Sequence, residues 1–189
     1  MLYIALGALG SLVINLFNSI FVKRVPLLKP LVWAVGSSLL TYAVIMVSIS
    51  PEKMTLPLWI GWLGWPLMAA SLAILAYSLF INLPFYRTYI TGGADEKLVT
   101  GGLYALVRHP WLPPFCFFLV SLIAVSQSRL LLAAVPVWIL LNIILVVIQD
   151  RFVYPKVFNG YGQYRRQTPM LLPSRKSIAA FINYRGGRE

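Results

Sequence analysis

The sequence predicts an all-α, polytopic membrane protein of about five transmembrane helices, its N-terminus outside and its C-terminus in the cytoplasm. Three observations carry this expectation. Of 189 residues, 59% are hydrophobic and only 11% charged, whereas a soluble domain carries roughly 25% charged residues. The apolar residues gather into runs suited to a hydrocarbon core, which takes roughly 20 residues at about 1.5 Å each. Lys and Arg, finally, concentrate in alternate connections between those runs.

Taken in order, the first run extends from Leu2 to Val22 and stops at Lys23 and Arg24. It has neither a basic flank before it nor a small-residue cleavage site after it, so it reads as a span rather than a cleaved signal. A second run covers Leu31 to Ile49 and a third Leu58 to Leu83, the latter with Gly61, Gly64 and Pro66 near its start, where a kink or tilt is expected. The fourth, Trp111 to Val125, is short and opens on Pro113 and Pro114; the fifth, Leu130 to Ile148, contains Pro136 and ends at Gln149 and Asp150. Connections after the first and third runs hold Lys23, Arg24, Lys29, Arg87, Lys97 and Arg108, while those after the second and fourth hold Lys53 and Arg129. The remaining cations crowd the tail from Arg151 to Arg188. Five spans with a cytoplasmic C-terminus satisfy this alternation, and the cell membrane is the expected location.

Charge also bounds the partners. A formal net charge of +11 is compatible with nucleic acid in the abstract, but these cations sit at helix ends and in the tail, which suits anionic lipid headgroups instead. Cys116 is the one cysteine and His109 the one histidine, so neither a disulfide framework nor a Cys-based or multi-histidine metal site is expected. The chain divides into three N-terminal helices (1–83) and a second half (84–189). That half comprises a cytoplasmic loop (84–110), a helical hairpin (111–149) and a basic tail (150–189). Within the tail, Ile178, Ala179, Phe181 and Ile182 fit a short interfacial helix.

Polar residues inside apolar runs narrow the functional reading. Ser11, Asn15 and Asn18 share one face of the first helix, and together with Asn142 they are expected to bond to neighbouring helices. Asp150 and His109 stand at the edges of the hairpin, where an ionisable group is a functional candidate. So short a turn between the fourth and fifth helices makes them antiparallel neighbours. His109 and Asp150 therefore return to one cytoplasmic rim. Tyr104 and Arg108 join them there, with Tyr161 and Tyr164 if the tail folds back.

The segment Gly102-Leu103-Tyr104-Ala105-Leu106-Val107-Arg108-His109-Pro110 resembles the G-x-Y-x-x-x-R-H-P signature of the isoprenylcysteine carboxyl methyltransferase and phospholipid methyltransferase superfamily. A hairpin follows as in that family, and Gln149-Asp150 stands where the family has Glu-Glu. Tyr161, Tyr164 and Pro169 match its Y-x-x-Y-x-x-x-x-P segment. The resemblance covers roughly residues 98–173, and helices one to three carry no signature. It implies S-adenosylmethionine as cofactor, held at the cytoplasmic face, and a lipophilic or membrane-embedded methyl acceptor. By the same resemblance Gly102, Tyr104, Arg108, His109, Pro110, Asp150, Tyr161 and Tyr164 form the cofactor site. His109 and Asp150 are the candidate catalytic residues. Arg108 or His109 suits the cofactor's carboxylate, Asp150 its amine or ribose hydroxyls, and aromatic faces such as Tyr104 or Trp111 its sulfonium. Two alternatives belong to other classes: a degenerate membrane binding or scaffold protein, and a nicotinamide-dependent lipid reductase.

Overall fold

The computed structural model describes residues 1–17, 28–82 and 98–183. Asn18, the loop cations Lys23, Arg24, Arg87 and Lys97, and the division at residue 83 lie outside the described residues. Those described are helical apart from short connections, with one isolated bridge between Lys53 and Ser128.

Helix α1 (Leu2–Leu12) continues into a π-helical turn, Val13–Phe17. It packs closely on α2 (Leu28–Ser48). A Cβ on Gly10 would stand 2.8 Å from the Gly36 carbonyl oxygen, so only glycine lets these backbones approach so closely. Helix α3 (Leu58–Ala76) includes Pro66 and also ends in a π-helical turn, Tyr77–Asn82. The short α4 (Leu103–Leu106) precedes the hairpin of α5 (Leu112–Ser126) and α6 (Arg129–Ile148). Pro113 is tolerated in the first turn of α5 because its missing N–H would have no intrahelical partner there. At the hairpin turn the Ser128 hydroxyl accepts from the Leu131 amide and donates to the Val47 carbonyl, tying α6 to the end of α2.

Among the described residues, three helices are long and apolar enough to cross a membrane: Pro30–Ser48, Leu58–Asn82 and Arg129–Val157. The runs expected as first and fourth spans are shorter apolar helices, Leu2–Asn15 and Leu112–Ser126. Leu112, Phe115 and Leu119 of α5 and Leu131, Ala134, Val135 and Trp138 of α6 share one core with Ala43 and Val47 of α2. The N-terminal helices therefore pack directly onto the hairpin, with α3 lying along α5 and α1 against α6. Outward faces stay apolar, as at Trp62, Leu63, Leu140 and Ile144, which is a surface suited to lipid rather than water.

Beyond α6 the helix widens into a further π-helical turn, Gln149–Val153, and runs into α7 (Tyr154–Val157). Two further helices follow, α8 (Tyr161–Gln167) and α9 (Arg175–Asn183). The tail does fold back: the Arg108 amide donates to the Pro169 carbonyl and the His109 amide to that of Met170.

Candidate active site

Asp150 is the centre of the cluster at this rim. It is 2% exposed, at the end of a long apolar helix, and a carboxylate there is tolerable only when paired and hydrogen-bonded. Arg108 pairs with it, Nη2 donating to Oδ2 at 3.1 Å, while Nε lies 2.9 Å from Oδ1 as an ion-pair contact outside hydrogen-bond geometry. The Tyr161 hydroxyl donates to Oδ1 at 2.5 Å. Arg165, whose side chain is 43% exposed, approaches Oδ2 at 3.5 Å. Both oxygens are thereby engaged, and two guanidinium groups share one carboxylate.

His109 lies beside this arrangement, with Nε2 3.8 Å from Oδ1, too far for a hydrogen bond. That nitrogen is buried and has no hydrogen-bond partner. The ring stacks on Tyr154 with centroids 5.7 Å apart, and Tyr154 meets Tyr161 edge-on. Burial holds His109 below its ordinary pKa; the nearby Asp150 opposes that shift without reversing it. The imidazole is therefore neutral near pH 7. Burial, and then the bond to Asp150, pushes the Tyr161 phenol well above its usual range, so it remains a donor. Tyr164 is raised by burial as well, and its hydroxyl donates to the Tyr104 carbonyl at 2.6 Å.

Arg108, His109, Asp150 and Tyr161, all predicted from the sequence, thus come together. Tyr104 and Tyr164 form a second, adjoining contact between α4 and α8. Tyr104 is linked to the cluster through its backbone, and its ring is half-buried. Pro110 is buried and turns the chain into α5. Gly102 has a specific backbone role. Its φ is +58°, and a Cβ there would collide with the Asn82 side-chain oxygen. That same oxygen accepts from the Leu103 amide at 3.0 Å, so the end of α3 clasps the loop that carries Arg108 and His109.

Several participants escaped the sequence reading. Asn82 carries no motif, and Arg165 is one of many tail cations. Gln149 stands where a glutamate was expected, and its place is occupied for a reason the structure makes plain. Its amide donates to the Asn15 carbonyl at 2.8 Å, while Tyr154 donates to its oxygen at 3.3 Å. Asn15 in turn donates to Asn142, which donates to the Ser11 hydroxyl. A buried polar file therefore runs from α1 and α6 to the tyrosine stacked on His109. The expected bonding of Ser11, Asn15 and Asn142 between helices is present. Among the described residues the π-helical turns, a form frequent at functional sites, carry Asn15 and Gln149 of this file, Asp150 of the buried cluster and Asn82 of the clasp on Gly102.

No family model, curated protein or solved structure matches the chain. Any functional reading rests on the site and on the sequence motifs that build it.

Proposed function

We propose that the protein is a five-span integral membrane methyltransferase, using S-adenosylmethionine on a lipophilic acceptor at the cytoplasmic face. One observation supports this above the rest: the R-H-P loop, the acid after the hairpin and the Y-x-x-Y helix close into one buried cluster of Arg108, His109, Asp150 and Tyr161. These are the three segments that resemble the methyltransferase signature.

The residues suit such a cofactor at two of its ends. Two guanidinium groups around one carboxylate leave positive charge for the cofactor's carboxylate, and Arg165 is the exposed, loosely held member able to turn toward it. The tyrosine rings near His109 offer π faces to a sulfonium. When bound, the cofactor supplies a methyl group already activated for displacement. This chain's residues position and shield. Asp150, with both oxygens engaged, anchors Arg108 and Tyr161 and is a poor candidate for a base. His109, held uncharged by burial, is the group able to accept a proton from an amine or thiol; a carboxylate acceptor would need none.

Depth fits a membrane-embedded acceptor. Helix α5 has 15 residues, which at about 1.5 Å each falls about 7 Å short of a hydrocarbon core about 30 Å thick. As a span, it would draw the R-H-P loop down to the headgroup level. At the opposite end Trp59, Trp62 and Trp65 stand exposed on α3, as an interfacial aromatic belt requires.

Titration of the purified protein with S-adenosylmethionine and its demethylated product, by calorimetry and thermal shift, tests the reading. A ligand at about 100 times its Kd raises stability by about 2.7 kcal/mol. Absence of any stabilisation at millimolar concentration sinks the methyltransferase and leaves the binding or scaffold protein. Stabilisation by a nicotinamide cofactor instead would establish the reductase. Arg165→Gln should weaken cofactor binding while leaving the apo protein's melting nearly unchanged.

A further inference from the structure

We propose that α9 is a docking element for an acidic lipid surface, placed at the rim of the site; this rests on the membrane-spanning reading above. Helix α9 covers Arg175–Asn183. A helix of nine residues is marginal by itself in water, and this one is held by two devices. Ser174 and Ser177 form a reciprocal box: the Ser174 amide donates to the Ser177 hydroxyl at 2.9 Å and the Ser177 amide to the Ser174 hydroxyl at 3.2 Å. Ser177 is also buried, and the helix packs on α4.

What it leaves uncovered identifies the partner. At about 100° per residue, Ile178, Phe181 and Ile182 fall within one arc about 100° wide. All three are exposed, Ile182 at 71%, and Leu172 just before the helix at 80%. Arg175, about 20° beyond one edge, flanks that arc and is exposed too, whereas the exposed Lys176 lies on the opposite face. From Arg151 to Asn183 the sequence has six Lys and Arg (Arg151, Lys156, Arg165, Arg166, Arg175, Lys176) and no acidic residue. An apolar arc with Arg175 at its edge, in a segment of six cations without a compensating acid, matches an acidic bilayer surface: side chains at the acyl boundary, charges among the headgroups. The location agrees, because α4, on which α9 rests, leads within six residues into α5. Since α4 also carries the Tyr104 carbonyl that holds Tyr164, docking of α9 would brace the wall of the active site.

Site-directed spin labelling of the full chain in nanodiscs tests this. In a Cys116→Ser background, labels replace Ile178, Ile182 or Ala179, with a reference label at the exposed Leu140 of α6. Oxygen and a water-soluble nickel chelate report depth in discs of phosphatidylcholine with or without phosphatidylglycerol. The expected result is that labels at 178 and 182 become oxygen-accessible and chelate-shielded in acidic discs, while that at 179 stays wetter. Arg175→Gln should cut the docked population about fivefold, and Lys176→Gln, on the far face, by less. Chelate access at 182 that is equal in both lipid compositions would overturn the proposal. So would shielding from both reagents, the signature of a protein partner such as a second copy. A chelate-accessible label at 140 would overturn the spanning reading itself, and with it this placement of α9; failure of the cofactor titration would touch neither result.

Discussion

Asp150→Asn should be the most damaging isosteric change at the site, and its size follows from the contacts. The substitution keeps volume but removes the charge that Arg108 faces at 2.9 and 3.1 Å. Both side chains are almost wholly buried, 8% and 3% exposed, so solvent cannot take over from the lost carboxylate. Breaking such a pair from one side costs about 3–5 kcal/mol, because an uncompensated guanidinium is left behind. At about 2–4 °C per kcal/mol for a chain of this size, melting should fall by about 6–20 °C. Arg165→Gln removes a 3.5 Å contact from a side chain 43% exposed, and should cost under about 1 kcal/mol. Replacing the buried pair together, as Arg108→Met with Asp150→Leu, should recover most of the loss. Tryptophan fluorescence during thermal unfolding in detergent reads all four proteins. Equal losses for Asp150→Asn and Arg165→Gln, or a double variant worse than Asp150→Asn alone, would refute the assignment of Asp150 as the anchor of a desolvated pair.

Further expectations concern its surroundings. Gln149→Glu, which introduces the paired acids of the methyltransferase signature that this segment resembles, should destabilise by about 1–3 kcal/mol: the donor to the Asn15 carbonyl is replaced by a buried carboxylate; chemical denaturation measures it. Gly102→Ala should cost more than about 1 kcal/mol, since it combines a left-handed backbone with a collision against Asn82, and Asn82→Ala should relieve part of that cost. For His109 the folded pKa lies below the ordinary 6.5, so the unfolded chain binds the proton first. Its contribution is complete above about pH 6.5 and is lost as pH falls from there through the folded value. Melting followed from pH 7.5 to 5 should decline more steeply in the wild type than in His109→Gln.

Much of the site was legible in advance because spans have a fixed length and the hairpin turn is short. Those two constraints return Asp150 to the rim that His109 leaves, whatever the packing details. The polar stripe was equally readable: Ser11 and Asn15 are four apart, and a polar face inside an apolar helix must find partners. Which partners it finds is another matter. Asn15 meets Asn142 and Gln149 more than 120 positions away, and nothing in a local window encodes that meeting. Gln149 looked like a lost acid in the sequence; in the fold its amide is a donor that glutamate does not have. Asn82 was invisible because its task depends on where the end of α3 arrives relative to Gly102.

The sequence by itself therefore determined an apolar, all-helical chain, the extent of its long helices to within a few residues, and the return of His109 and Asp150 to one end. Composition and chain length govern these features, since backbone hydrogen bonds and apolar burial act over short stretches. Only the tertiary structure decided that Asp150 is saturated by Arg108, Tyr161 and Arg165, and that His109 is left buried with an unpartnered nitrogen. Those outcomes depend on ångström-scale distances between distant segments, where a guanidinium at 2.9 Å closes a pair and an imidazole at 3.8 Å does not.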